Sequence, residues 1–226
     1  MRHFKIKGLF QPCVFCHDWA WRKLCICSYC QQQLTSMPDA YCPTCALPYA
    51  NNINICTKCM FKDSPFNQVW ASFQYEPLIQ YLIHQMKFEN QVNIAKFLGH
   101  CLADCIELKH AKWDVITSVP IHRLRWLKRG FNQSEVMARI IAKTHQIPYQ
   151  NLIKKICHTP AMSLNRTRRS KISLRNVFRV TKPPAKRILL VDDVMTSGCT
   201  AYHLADCLKK AGASSIDLAV AVRVVL

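Results

Sequence analysis

The feature that most constrains this chain is an unbroken run from Ile188 to Thr200, which reads Ile-Leu-Leu-Val-Asp-Asp-Val-Met-Thr-Ser-Gly-Cys-Thr. Its leading apolar residues, Ile188 to Val191, predict a strand that is buried on both faces of a parallel sheet. We expect Asp192 and Asp193 where this strand leaves the sheet. Open α/β sheets bind their ligands at that edge, so these two residues, the acid pair, are candidate ligand contacts.

A short loop rich in hydroxyl groups follows the acid pair. Apolar residues at helical spacing begin at Ala201, and Gly212 suits the position just after a helix, so the loop is expected to open a helix. Free amides at a helix start favour an anion. We therefore predict a phosphate on this phosphate loop, while the acid pair accepts hydrogen bonds from vicinal sugar hydroxyls. The loop residues are Thr196, Ser197, Gly198, Cys199 and Thr200.

This run resembles the phosphoribosyl pyrophosphate (PRPP) motif of type I phosphoribosyltransferases. The resemblance implies that Asp192 and Asp193 contact the ribose 2′ and 3′ hydroxyls and that the phosphate loop holds the 5′-phosphate. Ser197 and Cys199 stand where that motif more commonly has Thr and Ala, and neither change removes a backbone amide. The alternative is a buried strand followed by two capping acids and an ordinary turn. The unbroken order of acid pair, hydroxyl-rich loop and amphipathic helix favours the PRPP motif over this alternative.

Four Cys-x2-Cys pairs occupy residues 1–64, in a pattern that repeats with a shift of twenty-nine residues. Four thiolates from two such pairs suit a closed, tetrahedral, structural zinc site. In the reducing cytoplasm expected for this chain, paired cysteines indicate metal rather than disulfides. We predict two zinc ions, and the spacing leaves open whether the pairs are used in order or interleaved. The expected ligands are Cys13, Cys16, Cys27, Cys30, Cys42, Cys45, Cys56 and Cys59.

The other notable residues of this module are one cysteine and several aromatic rings. Cys25 falls outside the repeat and is expected to be a spare thiol. Trp19, Trp21, Tyr29 and Tyr41 either cover the metal core or stack on nucleobases. The small size of the module favours the covering role.

Asp63-Ser64-Pro65 marks a boundary, so we predict a double zinc-ribbon module at 1–64 and a phosphoribosyltransferase-like domain at 65–226. Beyond it, strand patterns alternate with helix patterns, which predicts an α/β fold with a parallel sheet flanked by helices. The expected elements include a half-buried edge strand at Val69–Tyr75, helices at Pro77–Met86 and Gln91–Glu107, and strands at Trp113–Val119 and Ile216–Val225.

A basic loop follows the strand that ends at Val119, and Asn132 then begins a helix with Glu135 in a variant capping box. The type I resemblance implies that this loop holds the pyrophosphate of PRPP, because arginines bind such a group bidentately. A solvent-exposed basic turn is the alternative, although its clustered cations repel one another without an anion. The expected contacts are Val119, Pro120, Arg123, Arg125 and Arg129.

Motifs along nearly the whole chain resemble the ComF family. They are the cysteine pairs, Lys87-Phe88, Val119-Pro120, Arg129-Gly130-Phe131-Asn132-Gln133, Arg175-Asn176-Val177-x-Arg179 and the acidic PRPP run. The resemblance implies a role in DNA uptake or in the use of external DNA, with DNA-uptake proteins as partners. It also implies a ligand contact for Lys87, which we expect between two helices. Met162 stands where the family often has Gln.

The formal net charge of +18 is unevenly distributed. Between Ile121 and Arg187 the chain has seventeen Lys or Arg and one acid, hence +16, which leaves fourteen basic and twelve acidic residues elsewhere. Such asymmetry indicates a polyanionic ligand. Ile156 to Pro184 has few apolar anchors and resembles a flexible loop that orders over an anion. Its expected contacts with single-stranded DNA are Arg166, Arg168, Arg169, Lys171 and Arg175.

Two functions therefore compete. In the first, the chain is a cytoplasmic protein that binds PRPP and handles incoming single-stranded DNA during uptake. In the second, it is an Mg²⁺-dependent phosphoribosyltransferase that moves ribose 5-phosphate to an acceptor and releases pyrophosphate, with Asp192 and Asp193 as the catalytic pair. No run of apolar residues approaches membrane-spanning length, and no residue suggests itself as a general base.

Overall fold

The computed structural model describes residues 10–21, 25–49, 55–61, 64–106, 113–157, 177–182 and 185–225. The cysteine module contains β1 (Phe10–Pro12), β2 (Trp19–Trp21), α1 (Ser28–Gln32) and α2 (Thr57–Met60). The rest of the chain forms β3 (Val69–Gln74), α3 (Pro77–Phe88), α4 (Val92–Cys105), β4 (Val115–Ser118), α5 (Arg123–Arg129), α6 (Gln133–His145), β5 (Ile153–Lys155), β6 (Phe178–Val180), β7 (Arg187–Met195), α7 (Cys199–Lys210) and β8 (Ser215–Arg223).

The centre of the fold is a four-stranded sheet in the order β3-β8-β7-β4. All three pairings are parallel, so the predicted α/β architecture is confirmed. The central strands β7 and β8 are buried along most of their length because they carry long apolar runs. Two short antiparallel pairs, β1-β2 and β5-β6, lie outside this sheet.

Helices cover both faces of the sheet. On one face, buried side chains of α3, α4 and α6 pack with Leu189 and Val191 of β7. On the other face, Ile188 and Leu190 pack with the apolar side of α7. This alternation along β7 follows from the two-residue period of a strand. The first cysteine pairs share the core of the first face. No helix among the described ranges has the length and apolarity needed to cross a membrane.

Strand β3 lies at the edge of the sheet, as predicted, but the expectation that it is half-buried is wrong. Its first five residues are all buried. The cysteine module covers its free edge: the Val69 amide donates to the Pro43 carbonyl at 2.6 Å, and the Met37 amide donates to the Ser72 carbonyl at 2.9 Å. A covered edge cannot pair with another chain.

Two predictions around the site need correction. The basic residues after β4 form the helix α5 rather than a loop, because the His122 side chain accepts from the Leu124 amide at its start and Gly130 ends it with φ 76°. Lys87 does not lie between two helices but in the last turn of α3. A cation is favourable there, since it faces the negative end of the helix dipole.

Strand β7 continues through the acid pair to Met195, so these acids do not lie where it leaves the sheet. Asp192 remains paired in register with Val220 of β8. On the other side, β4 ends at Ser118, opposite Val191. The acid pair therefore lies just beyond the carboxyl end of β4, which leaves one flank of β7 open beside it.

Candidate functional site

Each half of the cysteine repeat brings its own four thiols together, so the pairs are used in order and are not interleaved. The sulfur atoms of Cys13, Cys16, Cys27 and Cys30, the first cysteine cluster, lie within 4.8 Å of one another. The same holds for the second cysteine cluster, Cys42, Cys45, Cys56 and Cys59. Both clusters fit Zn²⁺, because sulfurs about 2.3 Å from a tetrahedral ion are themselves close to 4 Å apart.

Local structure prepares the second cluster for a metal. The Cys56 amide donates to Cys42 Sγ at 3.4 Å, and the Cys42 and Thr44 side chains are 3.3 Å apart. Burial alone would raise the pKa of Cys42, but hydrogen bonds from Thr44 and Cys56 lower that pKa to about 6. Cys25 lies outside both clusters, and burial raises its pKa to about 12. It is therefore a protonated thiol at neutral pH.

The acid pair is held by side chains from two helices. Lys87 Nζ of α3 lies 2.7 Å from Asp193 Oδ2, and Gln133 Nε2 of α6 donates to the same oxygen at 3.0 Å. Ser134 Oγ donates to Asp192 Oδ1 at 3.1 Å. Three residues near the start or end of helices thus converge on two consecutive carboxylates at the open flank of β7.

The two carboxylates differ in protonation. Burial, followed by repulsion from the neighbouring Asp193, raises the pKa of Asp192. Burial acts in the same direction on Asp193, but the Lys87 ammonium and the Gln133 amide together lower the pKa of that group. Asp193 is consequently the fixed anion of the pair, and Asp192 is the carboxylate whose charge depends on what lies beside it.

The phosphate loop begins two residues after the acid pair, beyond Val194 and Met195. Thr196, Ser197, Cys199 and Thr200 are exposed, and α7 begins at Cys199 without a side-chain cap from any described residue. Its first amides are therefore available to an anion. The sequence placed Cys199 and Thr200 in the loop, whereas they form the first turn of the helix.

Gly198 is required at this turn for two reasons. Its φ is 75°, a backbone angle that residues other than glycine rarely adopt. A Cβ atom at this position would also lie 2.7 Å from both Met195 Cε and a ring carbon of Tyr202. The loop therefore keeps its shape only because the residue has no side chain.

The other predicted PRPP contacts lie near this edge to different degrees. The Val119 amide donates to the Val191 carbonyl at 2.9 Å, and the Val119 carbonyl accepts from Asn132 Nδ2 at 3.1 Å, so the turn at Val119-Pro120 is fixed beside β7. Arg129 is half-buried, and its guanidinium carbon lies 6.0 Å from the centre of the Phe88 ring. Arg123 is exposed and Arg125 half-buried on α5.

Gln133 and Ser134 are site residues that sequence reasoning did not single out. Gln133 appeared only as the end of the Arg-Gly-Phe-Asn-Gln motif, and its position after the Asn132 cap was the available signal. Its side chain is buried, and Gln133 Oε1 has no hydrogen-bond partner among the described residues. The predicted DNA contacts Arg166, Arg168, Arg169, Lys171 and Arg175 lie outside the described residues.

Known proteins resemble this chain over most of its length. The family model described as phosphoribosyl transferase domain matches residues 85–224. DNA utilization protein YhgH of Escherichia coli K12 is 30% identical over 202 residues, which cover 85% of this chain and 88% of that protein. Competence protein F of Haemophilus influenzae is 27% identical over 203 residues, with the same two coverages. Competence protein ComFC of Streptococcus pneumoniae is 26% identical, covering 85% and 84%.

Proposed function

The chain belongs to the ComF family and carries a phosphoribosyl transferase domain, and from this membership we propose that it binds PRPP at the carboxyl edge of β7. The observation that carries the proposal is the adjacency of the acid pair and the phosphate loop on one continuous strand, loop and helix. The acid pair suits the ribose hydroxyls of a ribose 5-phosphate, and the uncapped helix amides beside it suit the phosphate dianion.

Different residues would contact different parts of the ligand. The amides of the phosphate loop bind the 5′-phosphate, and Asp192 accepts from the ribose hydroxyls, while Lys87 holds Asp193 in place. Arg129 and Arg125 would contact the pyrophosphate, and their charge would offset that of the ligand. Mg²⁺, when bound, would neutralise part of the pyrophosphate charge, with the acid pair holding the ion through water.

Calorimetric titration with Mg²⁺ and PRPP tests this proposal. Wild-type protein is expected to bind one PRPP per chain. Asp192→Asn is expected to weaken binding, because the substitution removes the negative charge and replaces one acceptor oxygen by an NH2 group that only donates. Arg187→Lys, at the far end of β7, serves as the control, because this residue pairs with the exposed Asp114. No heat of binding with wild-type protein would refute the proposal.

We also propose a role in DNA uptake or use. The support is the names of the relatives, a DNA utilization protein and two competence proteins, together with the basic segment between Ile121 and Arg187. The ligand would be single-stranded DNA. A segment of charge +16 neutralises several phosphates and releases their counterions.

The described residues add an aromatic surface to this argument. Trp19 and Trp21 project from the same face of β2 and are 72% and 56% exposed, whereas Ala20 between them is buried. The rings of Phe10 and Trp21 are in contact, with centroids 4.6 Å apart. Phe10, Trp19 and Trp21 form an aromatic ribbon whose two tryptophan rings are mostly exposed. Exposed rings of this kind stack on unpaired bases.

Fluorescence anisotropy with a labelled single strand tests the DNA proposal. The logarithm of the association constant should fall linearly with the logarithm of salt concentration. A duplex of the same sequence is the matched control, because its bases are not free to stack. Binding that does not change with salt would contradict the proposal.

Catalysis is the second candidate function, and the domain match supports it. The departing pyrophosphate would be stabilised by the cations of α5, among them Arg125 and Arg129. Release of pyrophosphate from PRPP, measured across nucleobases and amines, would establish turnover. PRPP binding without release of pyrophosphate would mean that the site binds PRPP but does not catalyse its turnover.

A further inference from the structure

Arg223, the last residue of β8, is an arginine buried where the sheet meets the cysteine module. Its guanidinium donates to four backbone carbonyls. Nε donates to Cys45 O at 2.8 Å, and Nη1 donates to Met195 O, Thr196 O and Val224 O at 2.9, 2.5 and 2.7 Å.

These acceptors belong to the two sites described above. Cys45 is a member of the second cysteine cluster, while Met195 ends β7 and Thr196 begins the phosphate loop. One planar, rigid group thus joins the backbone of the cluster to the backbone of the loop. A lysine could not do so, because its single nitrogen does not span two sets of acceptors.

The charge of Arg223 points to the cluster as its partner. A buried cation is costly unless an anion compensates it, and carbonyl dipoles supply only part of that compensation. The Cys45 carbonyl accepts from Nε at 2.8 Å, so the guanidinium lies against the backbone of this cluster. Four thiolates around Zn²⁺ carry a formal charge of about −2, so the loaded cluster would supply a compensating negative charge beside Arg223.

A second chain of contacts runs parallel to the first. The Tyr202 ring, which a Cβ on Gly198 would strike, packs edge-on against Phe66 at 5.3 Å between centroids. The Phe66 amide donates to Ser64 Oγ, which donates to the carbonyl of Thr44 between two cluster cysteines. Two sets of contacts therefore connect the phosphate loop with the second cluster.

We propose that the second cysteine cluster positions the phosphate loop through Arg223, so that the affinity for PRPP depends on whether this cluster holds its metal. Arg223 is a positioning residue: it touches the loop from behind and leaves the amides of the first turn of α7 free for the ligand. The statement about affinity rests on the proposed PRPP site, whereas the statement about loop geometry does not.

Arg223→Lys keeps the positive charge but removes the planar guanidinium that reaches several carbonyls. Arg187→Lys is the matched control, because Arg187 makes a solvent-accessible ion pair with Asp114. We expect Arg223→Lys to retain both zinc ions and to unfold cooperatively, but to bind PRPP about tenfold more weakly. Hydrogen exchange of the amides from Ser197 to Thr200 should accelerate in this variant and remain at the wild-type rate in Arg187→Lys. Cys56→Ser, which opens the second cluster, should accelerate the same amides.

Two results would overturn the inference. One is wild-type exchange of the loop amides in a folded, zinc-replete Arg223→Lys protein. The other is unchanged loop exchange in a folded Cys56→Ser protein that has lost one zinc ion. If wild-type protein binds no PRPP, the function proposed above fails, but the exchange experiment still decides whether the cluster supports the loop.

Discussion

Lys87 Nζ lies 2.7 Å from Asp193 Oδ2, and this ion pair joins the last turn of α3 to the strand that carries the acid pair. The carboxylate is almost buried, and the ammonium is about one-fifth exposed. Without Lys87, the buried Asp193 carboxylate would lose its ion pair and keep its hydrogen bonds from Gln133 and the Val194 amide. The pair therefore holds Asp193 as an anion before any ligand arrives.

We expect Lys87→Met to lower the free energy of unfolding by about 2–3 kcal/mol at neutral pH, because it removes a hydrogen-bonded partner from a buried charge. Urea unfolding measures this loss. Lys210→Met is the control, since the Lys210–Asp206 pair is largely exposed and its loss should cost about 0.5 kcal/mol or less. Equal effects of the two substitutions would contradict the assignment.

The same variant should show a characteristic pH dependence. The pKa of Asp193 is lowered in the folded protein, so its stabilising contribution is present above the ordinary aspartate pKa of about 3.9 and is lost as the pH falls through the folded value. The difference in stability between wild-type and Lys87→Met protein should thus be widest near neutrality and shrink below about pH 4. A difference that does not change with pH would mean that the lysine acts by packing alone.

The two cysteine clusters predict a zinc content of two ions per chain. Elemental analysis of Cys30→Ser protein should find about half the wild-type zinc, because a structural site needs all four ligands. Cys25→Ser is the control: this thiol is buried but belongs to neither cluster. Loss of zinc from Cys25→Ser protein would show that the ligand set is wrong.

Gly198 and Gly130 form a natural pair for testing the phosphate loop. Both have φ near 75°, but a Cβ on Gly130 meets nothing within 4 Å, whereas one on Gly198 strikes Met195 and Tyr202. Gly130→Ala should therefore cost about 1–2 kcal/mol of backbone strain. Gly198→Ala should cost more and also weaken PRPP binding. Thermal unfolding of the two variants, followed by calorimetry on Gly198→Ala, measures both effects.

The sequence predicted those parts of the site that are local in the chain. The phosphate loop follows the acid pair after two residues, so the run itself indicated their proximity. The repeat indicated the eight cysteine ligands, but whether the pairs are used in order became clear only from the structure. Lys87 was predicted as a ligand contact only through a family resemblance, and its helix, predicted as Pro77–Met86, ends two residues later at Phe88. Its contact with Asp193 joins residues far apart in sequence, which no periodicity reveals.

Arg223 shows most clearly what the sequence did not indicate. It lies near the end of the predicted strand Ile216–Val225, where a single arginine suggests only a strand end near solvent. Its burial depends on the second cysteine cluster packing over the sheet, a long-range arrangement. Strands β5 and β6 were missed for a different reason: each has three residues, too few for an alternating pattern.

The aromatic ribbon makes the DNA proposal testable residue by residue. Trp19→Ala and Trp21→Ala should each weaken binding of a single strand about fivefold or more, since stacking on one base contributes about 1–3 kcal/mol. The salt slope should remain as in wild-type protein, because no cation is removed. Phe61→Ala is the control, an aromatic residue that is 87% exposed outside the ribbon. Wild-type affinity in both tryptophan variants would exclude the ribbon as a binding surface.

The most direct test of the central claim is a crystal structure of the wild-type protein with PRPP and Mg²⁺. We predict density for the 5′-phosphate at the amides of Ser197 to Thr200, and ribose hydroxyls within hydrogen-bond distance of the Asp192 carboxylate. A ligand bound elsewhere, or a phosphate loop that remains without a phosphate at saturating PRPP, would contradict the claim.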